Sequence, residues 1–379
     1  MTGGAVHVAS ASFGGRLTTG PAASPSRLPG ISVGHASAAD TGVTVIACPD
    51  GAVAAVDVRG GGPGTRETDL LEPRNTVREA HAIVLAGGSA FGLAAADGVM
   101  RGLAGRGCGF GVTEEFPDVR VPIVPAAVIF DLLLGERDVP DAELGEKALA
   151  AALDGDGGEP APSGCVGAGT GAMAGAIKGG VGQASVALAD GATVTALVVA
   201  NPMGAVAGPD GRLWSDPGRG AIPAPALEAI GEKFLGLTKV PVPGGPGDGG
   251  GALNTTIGCI VTDAALTQDQ AQRLAMAGHD GMARAIRPSH LPMDGDTLFC
   301  LATGTFPGAG ALEGAGDPAG TSSSDPVDPA TLALLAAAAA DAVEHAIVDA
   351  VVSAESRAGV PAFGELAETA TEPERTRRQ

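Results

Sequence analysis

The stretch "PGDGGGALNTTIGCIVTDAAL", residues 246–266, places Asn254, Thr255 and Thr256 between a glycine-rich tract and an apolar run. A threonine hydroxyl is a weak nucleophile unless a base stands beside it, and one solution makes the threonine the first residue of a chain, so that its own α-amine is the base. The α-amine has an ordinary pKa near about 7.7–8, so a useful fraction is neutral at physiological pH. Creating that terminus requires a cut at the Asn254–Thr255 bond. A Gly/Pro tract followed at once by a strand would fix the hydroxyl in place while letting the upstream end depart. The other reading is a polar start to a strand, or an Asn-x-Thr glycosylation sequon without consequence. Local sequence leaves both open.

The usual fingerprints of other chemistries are missing. There is no Gly-x-Ser-x-Gly elbow, no His-Glu-x-x-His and no Gly-x-x-x-x-Gly-Lys-Ser/Thr. The six histidines lack metal-ligand spacing and support no histidine-based triad. The five cysteines are far apart, with no Cys-x-x-Cys pair, and read as small core residues rather than a disulfide framework or zinc site. "GAGTGA" (167–172) superficially matches the dinucleotide turn, but Pro160, Pro162, Ser163 and Gly164 precede it where a strand should feed it. Tight backbone packing explains it better, and the expectation is no cofactor and no metal.

Composition narrows the partners. With 45% apolar and 17% charged residues, 379 residues can bury a large core. A formal net charge of −20 repels phosphate backbones and anionic lipid, which argues against nucleic-acid or membrane-surface binding. The first thirty residues lack a basic start followed by an apolar block, so the expected location is the cytoplasm. "ATLALLAAAAADAVEHAIVDAVV" is interrupted by Asp341, Glu344, His345 and Asp349, which fits a buried helix better than a membrane span.

The elements that must position Thr255 follow from the patterning. A disordered segment to about Arg27 leads into "GVTVIAC" (42–48) and "AVAAVDV" (52–58), which "PDG" joins as a predicted hairpin. "AIVLAGG" (82–88) predicts a buried strand leading to a helix capped by Ser89. Helices are predicted near 140–153 and 224–236, with strands at 184–190 and 192–200. The tract 241–251 is too rich in Pro and Gly for regular structure. After it come a strand at 257–262, a helix opened by the capping box Thr267-x-x-Gln270 and running to about Ile286, and a strand at 297–303. A polar linker (316–328), a helix at about 330–356 and a frayed charged tail (361–379) complete the chain. Strands at hairpin spacing mixed with isolated helices predict an α+β architecture of one domain, 28–360, with sheets face to face and helices outside.

Several segments together resemble the DmpA/NylC family of self-cleaving N-terminal-nucleophile hydrolases. They are "GVTVI" with "VDVRGGGPGTRETDLLEP", "AIVLAGGSAFGLAAADGVM", "VPIVPAAVIFDL", "VGAGTGAMAGAIKGGVG", "ALVVANPMG", "NTTIGCIVTDAALT" and "MDGDTLFCLATG", in the family's order over roughly residues 30–305. The resemblance implies a four-layer αββα sandwich. It implies a precursor that cuts itself into residues 1–254 and 255–379, pieces that stay together and commonly assemble as a tetramer of pairs. It makes Thr255 the nucleophile, Asp294 and Asp296 an acidic pair orienting the new amine and hydroxyl, Lys178 a lysine near the nucleophile, and Asn201 the donor to the oxyanion. Such chemistry suits a small peptide, an amino-acid amide or ester, or an unusual amide such as a β-peptide or ω-amino-acid oligomer.

Physical chemistry is consistent with each role. Two carboxylates around one glycine can meet a single ammonium, a lysine can depress a neighbouring amine's pKa, and a side-chain amide on the tetrahedral oxygen is worth about 3–4 kcal/mol. The chain departs from the family in one respect that touches the site: many relatives use a tyrosine there, and this chain has none. That absence is the feature favouring an alternative, a binding or assembly protein that kept the fold and lost catalysis.

Overall fold

The computed structural model describes residues 9–11, 15–154, 160–240, 254–306 and 327–368. At its centre two strands, Ile257–Thr262 and Thr297–Ala302, run parallel in register from Ile257 opposite Thr297 to Thr262 opposite Ala302. Every residue of both is buried, which is why each reads as an unbroken apolar run rather than an alternating one. Parallel neighbours need a crossover, supplied by the helix Gln268–Ala285 with its Thr267/Gln270 capping box. Thr193–Val199 pairs antiparallel with the first strand, and part of Gly42–Val58 with the second.

Three apolar cores separate four layers. Ile260, Leu298 and Cys300 face one way, into a core shared with Gln268–Ala285 and the helix Pro329–Val352. Cys259, Val261, Phe299 and Leu301 face the other way, toward Ile46, Ile83 and Leu85 in the core between the two β layers. Val43, Val45, Val84 and Ala86 then turn outward to Val99, Leu103 and Leu149 of the helices Ala95–Gly105 and Ala142–Leu153. The order is helix, sheet, sheet, helix, the expected αββα sandwich. Glycines permit the close layer contacts: a Cβ on Gly182 would lie 2.0 Å from Ala346 O of the long helix.

Several expectations need correction. Residues 42–58 form one strand, Gly42–Val58, and not a hairpin. Its first half lies between Ser32–Ser37 and Glu79–Ala86, and its second half reaches Thr297–Ala302, so both halves already have partners. Pro49, Asp50 and Gly51 therefore fall in a register shift between Ala47 and Ala52 instead of reversing the chain. That strand joins the two β layers into one eleven-stranded hydrogen-bonded sheet. Ser89 is the first residue of a 3-10 turn, Ser89–Ala94, and the cap position falls to Gly88, whose N–H donates to Asp131 Oδ1 at 2.7 Å.

The supposed disordered start holds order: Arg16–Thr19 pairs antiparallel with Ala184–Ala187 on one side and Ala9–Ser10 on the other, with Leu17 buried in the first core. Residues 1–8 and 12–14 lie outside the described residues. The tail likewise contains a helix, Phe363–Glu368, anchored by buried Phe363, and only 369–379 fall outside the described residues. The tract 241–253 and linker residues 316–326 are outside them too. Pro329–Val352 is long and apolar enough to cross a membrane, yet it packs Leu335, Val343, Ile347 and Val351 into the first core.

Candidate active site

Residues 254–256 continue the line of the central strand alongside the "MDGD" segment. Asn254 N donates to Met293 O at 3.3 Å, Gly295 N to Asn254 O at 2.9 Å, and Thr297 N to Thr256 O at 3.1 Å. On the other flank Thr255 N donates to Asn201 O at 3.0 Å, just beyond Thr193–Val199. The Thr255 hydroxyl donates to Asn254 O, so the carbonyl of the Asn254–Thr255 bond carries both that hydroxyl and the Gly295 N–H. All three residues are buried.

Glycine at 295 is a steric requirement, because a Cβ there would lie 2.8 Å from Thr255 Oγ1. The "RGGGPG" loop holds the same segment from behind: Arg59 N donates to Asp296 O at 3.0 Å and Gly62 N to Asp294 O at 2.9 Å. A Cβ on Gly60 would sit 2.2 Å from Asp294 O, which accounts for the glycine run.

The acids occupy opposite sides of Gly295. Asp294 accepts Met203 N at 3.2 Å and Leu291 N at 3.1 Å. Burial, with Asp296 close by, pushes its carboxyl up to about 6. Asp296 accepts Thr256 N at 2.8 Å on one oxygen, while the other receives His290 N at 3.0 Å and lies 2.8 Å from His290 Nδ1. His290 is thus a site residue that the search for metal spacing or a triad passes over. The only signal is its position six residues before Asp296. Its ring meets His279 edge-on, with centroids 4.8 Å apart, and burial pushes His279 down to about 4.

Asn201 and Lys178 are held as follows. Asn201 Nδ2 donates to Phe130 O at 3.2 Å, and its Oδ1 accepts Met173 N at 2.9 Å. In this uncut chain the donor on the Asn254 carbonyl is therefore a backbone N–H, that of Gly295. Lys178 Nζ donates to the carbonyls of Ala172 (2.5 Å), Gly179 (3.2 Å) and Gly169 (3.4 Å), none of them a predicted site residue, and burial lowers its pKa to about 8. "GAGTGA" thus presents carbonyls to a cation, the reverse of an amide cradle for phosphate.

The lysine among the site residues is Lys239, which the sequence reading missed. Its Nζ donates to Asn254 Oδ1 at 2.7 Å, Asn201 Oδ1 at 2.8 Å and Asn201 O at 3.2 Å. Burial holds its pKa well below the ordinary value. The available signal was scarcity: it is one of four lysines in the chain, set in the apolar run "LTKVPVP".

Beyond Met173 opens an apolar cavity of about 250 Å³, walled by Ile230, Phe234 and Val360 among others, with Lys233 in its lining. Among the described residues no group of His, Cys, Asp and Glu could hold a metal.

Comparison with known proteins agrees with this picture. Residues 27–362 match Peptidase family S58. An uncharacterized aminopeptidase of Mycobacterium bovis is 45% identical over 356 residues, covering 89% of this chain and 96% of the relative. A 6-aminohexanoate-oligomer endohydrolase of Paenarthrobacter ureafaciens is 34% identical over 290 residues, 73% of each chain. Among solved structures, a Burkholderia sp. beta-aminopeptidase aligns with a TM-score of 0.65 at 25% identity over 97% of both chains. The L-aminopeptidase D-Ala-esterase/amidase of Ochrobactrum anthropi, a variant of the Ntn hydrolase fold, aligns with a TM-score of 0.63 at 22% identity, over 93% of this chain and 92% of that one.

Proposed function

The chain belongs to Peptidase family S58 and is an amide-bond hydrolase, and from that premise we propose that it cuts itself between Asn254 and Thr255 and then uses Thr255 Oγ against substrate amides. The observation that carries this reading is the scissile carbonyl, which bears the Gly295 N–H at 2.9 Å and the Thr255 hydroxyl on one oxygen. Thr255 Oγ attacks the Asn254 carbonyl carbon, and the resulting oxyanion stays on the Gly295 N–H. The C–N bond breaks as Thr255 N takes up the proton that Oγ gives up, and an ester joins Asn254 to Thr255 Oγ. Water then hydrolyses that ester, leaving Asn254 with a carboxylate and Thr255 with a free α-amine. One oxyanion donor of this kind is typically worth about 10²–10³ in rate.

In the cut enzyme the new α-amine becomes the base for Thr255 Oγ. Asp294 and Asp296 supply the negative charge that holds it. Asn201, once it turns from Phe130 O, supplies a second donor to the oxyanion of a substrate. Lys178 adds positive charge behind the site through the backbone carbonyls it binds. A substrate amide is cleaved through an acyl-enzyme that water resolves, with no metal or cofactor.

The substrates this reading favours are small peptides, amino-acid amides or esters, and β-peptide or ω-amino-acid oligomers, in line with the names of its relatives. The expected location is the cytoplasm, with neither nucleic acid nor membrane as a partner. Self-association of cut pairs, as a tetramer, is favoured by exposed Phe110, Phe116 and Val119 near the short Phe110–Gly111 and Arg120–Val121 ribbon. The test is a panel of D-, L- and β-amino-acid amides together with aminohexanoate oligomers. Release of amine from at least one class is expected, and a cut chain inert toward all of them contradicts the proposal.

A pH dependence follows from Asp294. Its carboxyl titrates near about 6, so it is charged above that value and protonated below it. Because the charged carboxylate accepts the Met203 and Leu291 N–H groups that frame residues 254–256, self-cleavage of newly synthesised chain should be flat with pH above about 7 and fall roughly tenfold per unit well below about 6. Cleavage timed in cell-free translation reactions at graded pH reads this, and Asp294→Asn should be slow and lose the acid limb.

A further inference from the structure

The mechanism above makes no use of Lys239, yet that residue touches the acyl side of the bond to be cut. Its ammonium donates to the side-chain oxygen of Asn254 at 2.7 Å, the residue whose carbonyl Thr255 attacks. It also donates to Asn201 O, the oxygen that accepts the Thr255 N–H. Lys239 therefore reads the residue before the bond and is tied to the residue after it.

We propose that Lys239 forms a specificity subsite for the acyl residue, occupied by Asn254 in the first, intramolecular turnover and by an asparaginyl residue of the substrate afterwards. This rests on self-cleavage at Asn254–Thr255. The lysine is held independently of Asn254, through its own N–H on Met203 O at 3.0 Å and Val240 O receiving Leu235 N at 2.8 Å. Hydrolysis releases Asn254 from Thr255 and leaves Lys239 in place, buried, with its two bonds to Asn201 and one acceptor lost. A buried donor stripped of an acceptor selects a ligand that restores it. A substrate carbonyl presented to the same Oγ brings its acyl side chain to the position that Asn254 held. The side chain that reproduces the lost contact bears a carbonyl oxygen on Cγ, as asparagine does and its isostere leucine does not. Burial also keeps the lysine's pKa low, which suits a neutral amide partner.

Two measurements on the full chain test this. In a double-mutant cycle on the self-cleavage rate, Asn254→Leu and Lys239→Met should each slow the cut about 10–100-fold, and the double variant should be no slower than the worse single. Multiplicative effects of the two substitutions would overturn the proposal. The second measurement needs no variant: cut wild type should favour asparaginyl over leucyl anilides, free or N-acetylated, by at least about tenfold in kcat/KM. Equal rates from a cut wild type overturn this inference alone. A wild type that stays uncut overturns the self-cleavage reading, and the subsite with it.

Discussion

A Thr255→Ala chain is expected to remain a single full-length polypeptide and to release no amine from any amide that the wild type hydrolyses. One substitution should remove both functions because, in the proposed mechanism, one hydroxyl serves both. It lies on the carbonyl of the bond to be cut, and after the cut it shares its residue with the base. Loss of a nucleophile costs roughly 10⁴–10⁶ in turnover in well-studied hydrolases, so residual activity falls below detection in an ordinary assay. Fold stability should change little, since the deletion removes two small atoms whose hydrogen bond, among the described residues, is to the adjoining carbonyl. The control is Thr256→Val. The Thr256 hydroxyl is buried without a hydrogen-bond partner among the described residues, so an apolar isostere there should cleave itself as the wild type does. Denaturing gels of the two variants separate the adjacent hydroxyls, which the sequence alone could not.

Asp296→Ala has the second large expected effect, and here stability and function fall together. The carboxylate accepts the Thr256 N–H, which starts the central strand, and the His290 N–H and ring nitrogen. Alanine leaves the buried Thr256 N–H and the part-buried His290 N–H unpaired, at a cost of roughly 2–4 kcal/mol. It also frees the stretch that presses Gly295 against the scissile carbonyl, so self-cleavage should stop or become very slow. Denaturant unfolding gives the first effect and the gel gives the second. Asp296→Asn distinguishes them: its oxygen can still accept the Thr256 N–H, while its NH₂ faces donors on His290. It should recover part of the stability and little of the cleavage.

How much of this was legible in the sequence depended on whether a feature was local. The central strands and the capped helix between them show clear apolar runs and a capping box, and their ranges emerged within a residue or two. Gly42–Val58 was misread because the turn chemistry of Pro49-Asp50-Gly51 is a local signal, whereas the pairing that overrides it comes from residues 79–86 and 297–302. Leu17 and Phe363 fill the first core, so their segments are ordered despite polar surroundings in sequence.

The site divides the same way. Thr255 and the Asp294-Gly295-Asp296 group stand out as short motifs, and the structure explains the glycine between the acids as the donor on the Asn254 carbonyl. Lys178 had a motif too, and its side chain runs to the backbone carbonyls of Ala172 and Gly179. Lys239 and His290 lacked any motif. Lys239 becomes visible only when separate segments meet at Asn201 and Asn254, and His290 only when the turn before Asp296 folds its ring back onto that carboxylate.

The central claim is that Thr255 becomes a chain terminus. Amino-terminal sequencing of the purified protein, with intact mass on the same sample, tests it most directly. The expected result is two polypeptides, residues 1–254 and 255–379, the smaller beginning Thr-Thr-Ile-Gly. A single uncut chain that nonetheless hydrolyses amides, or a smaller piece beginning at any residue other than Thr255, would contradict it.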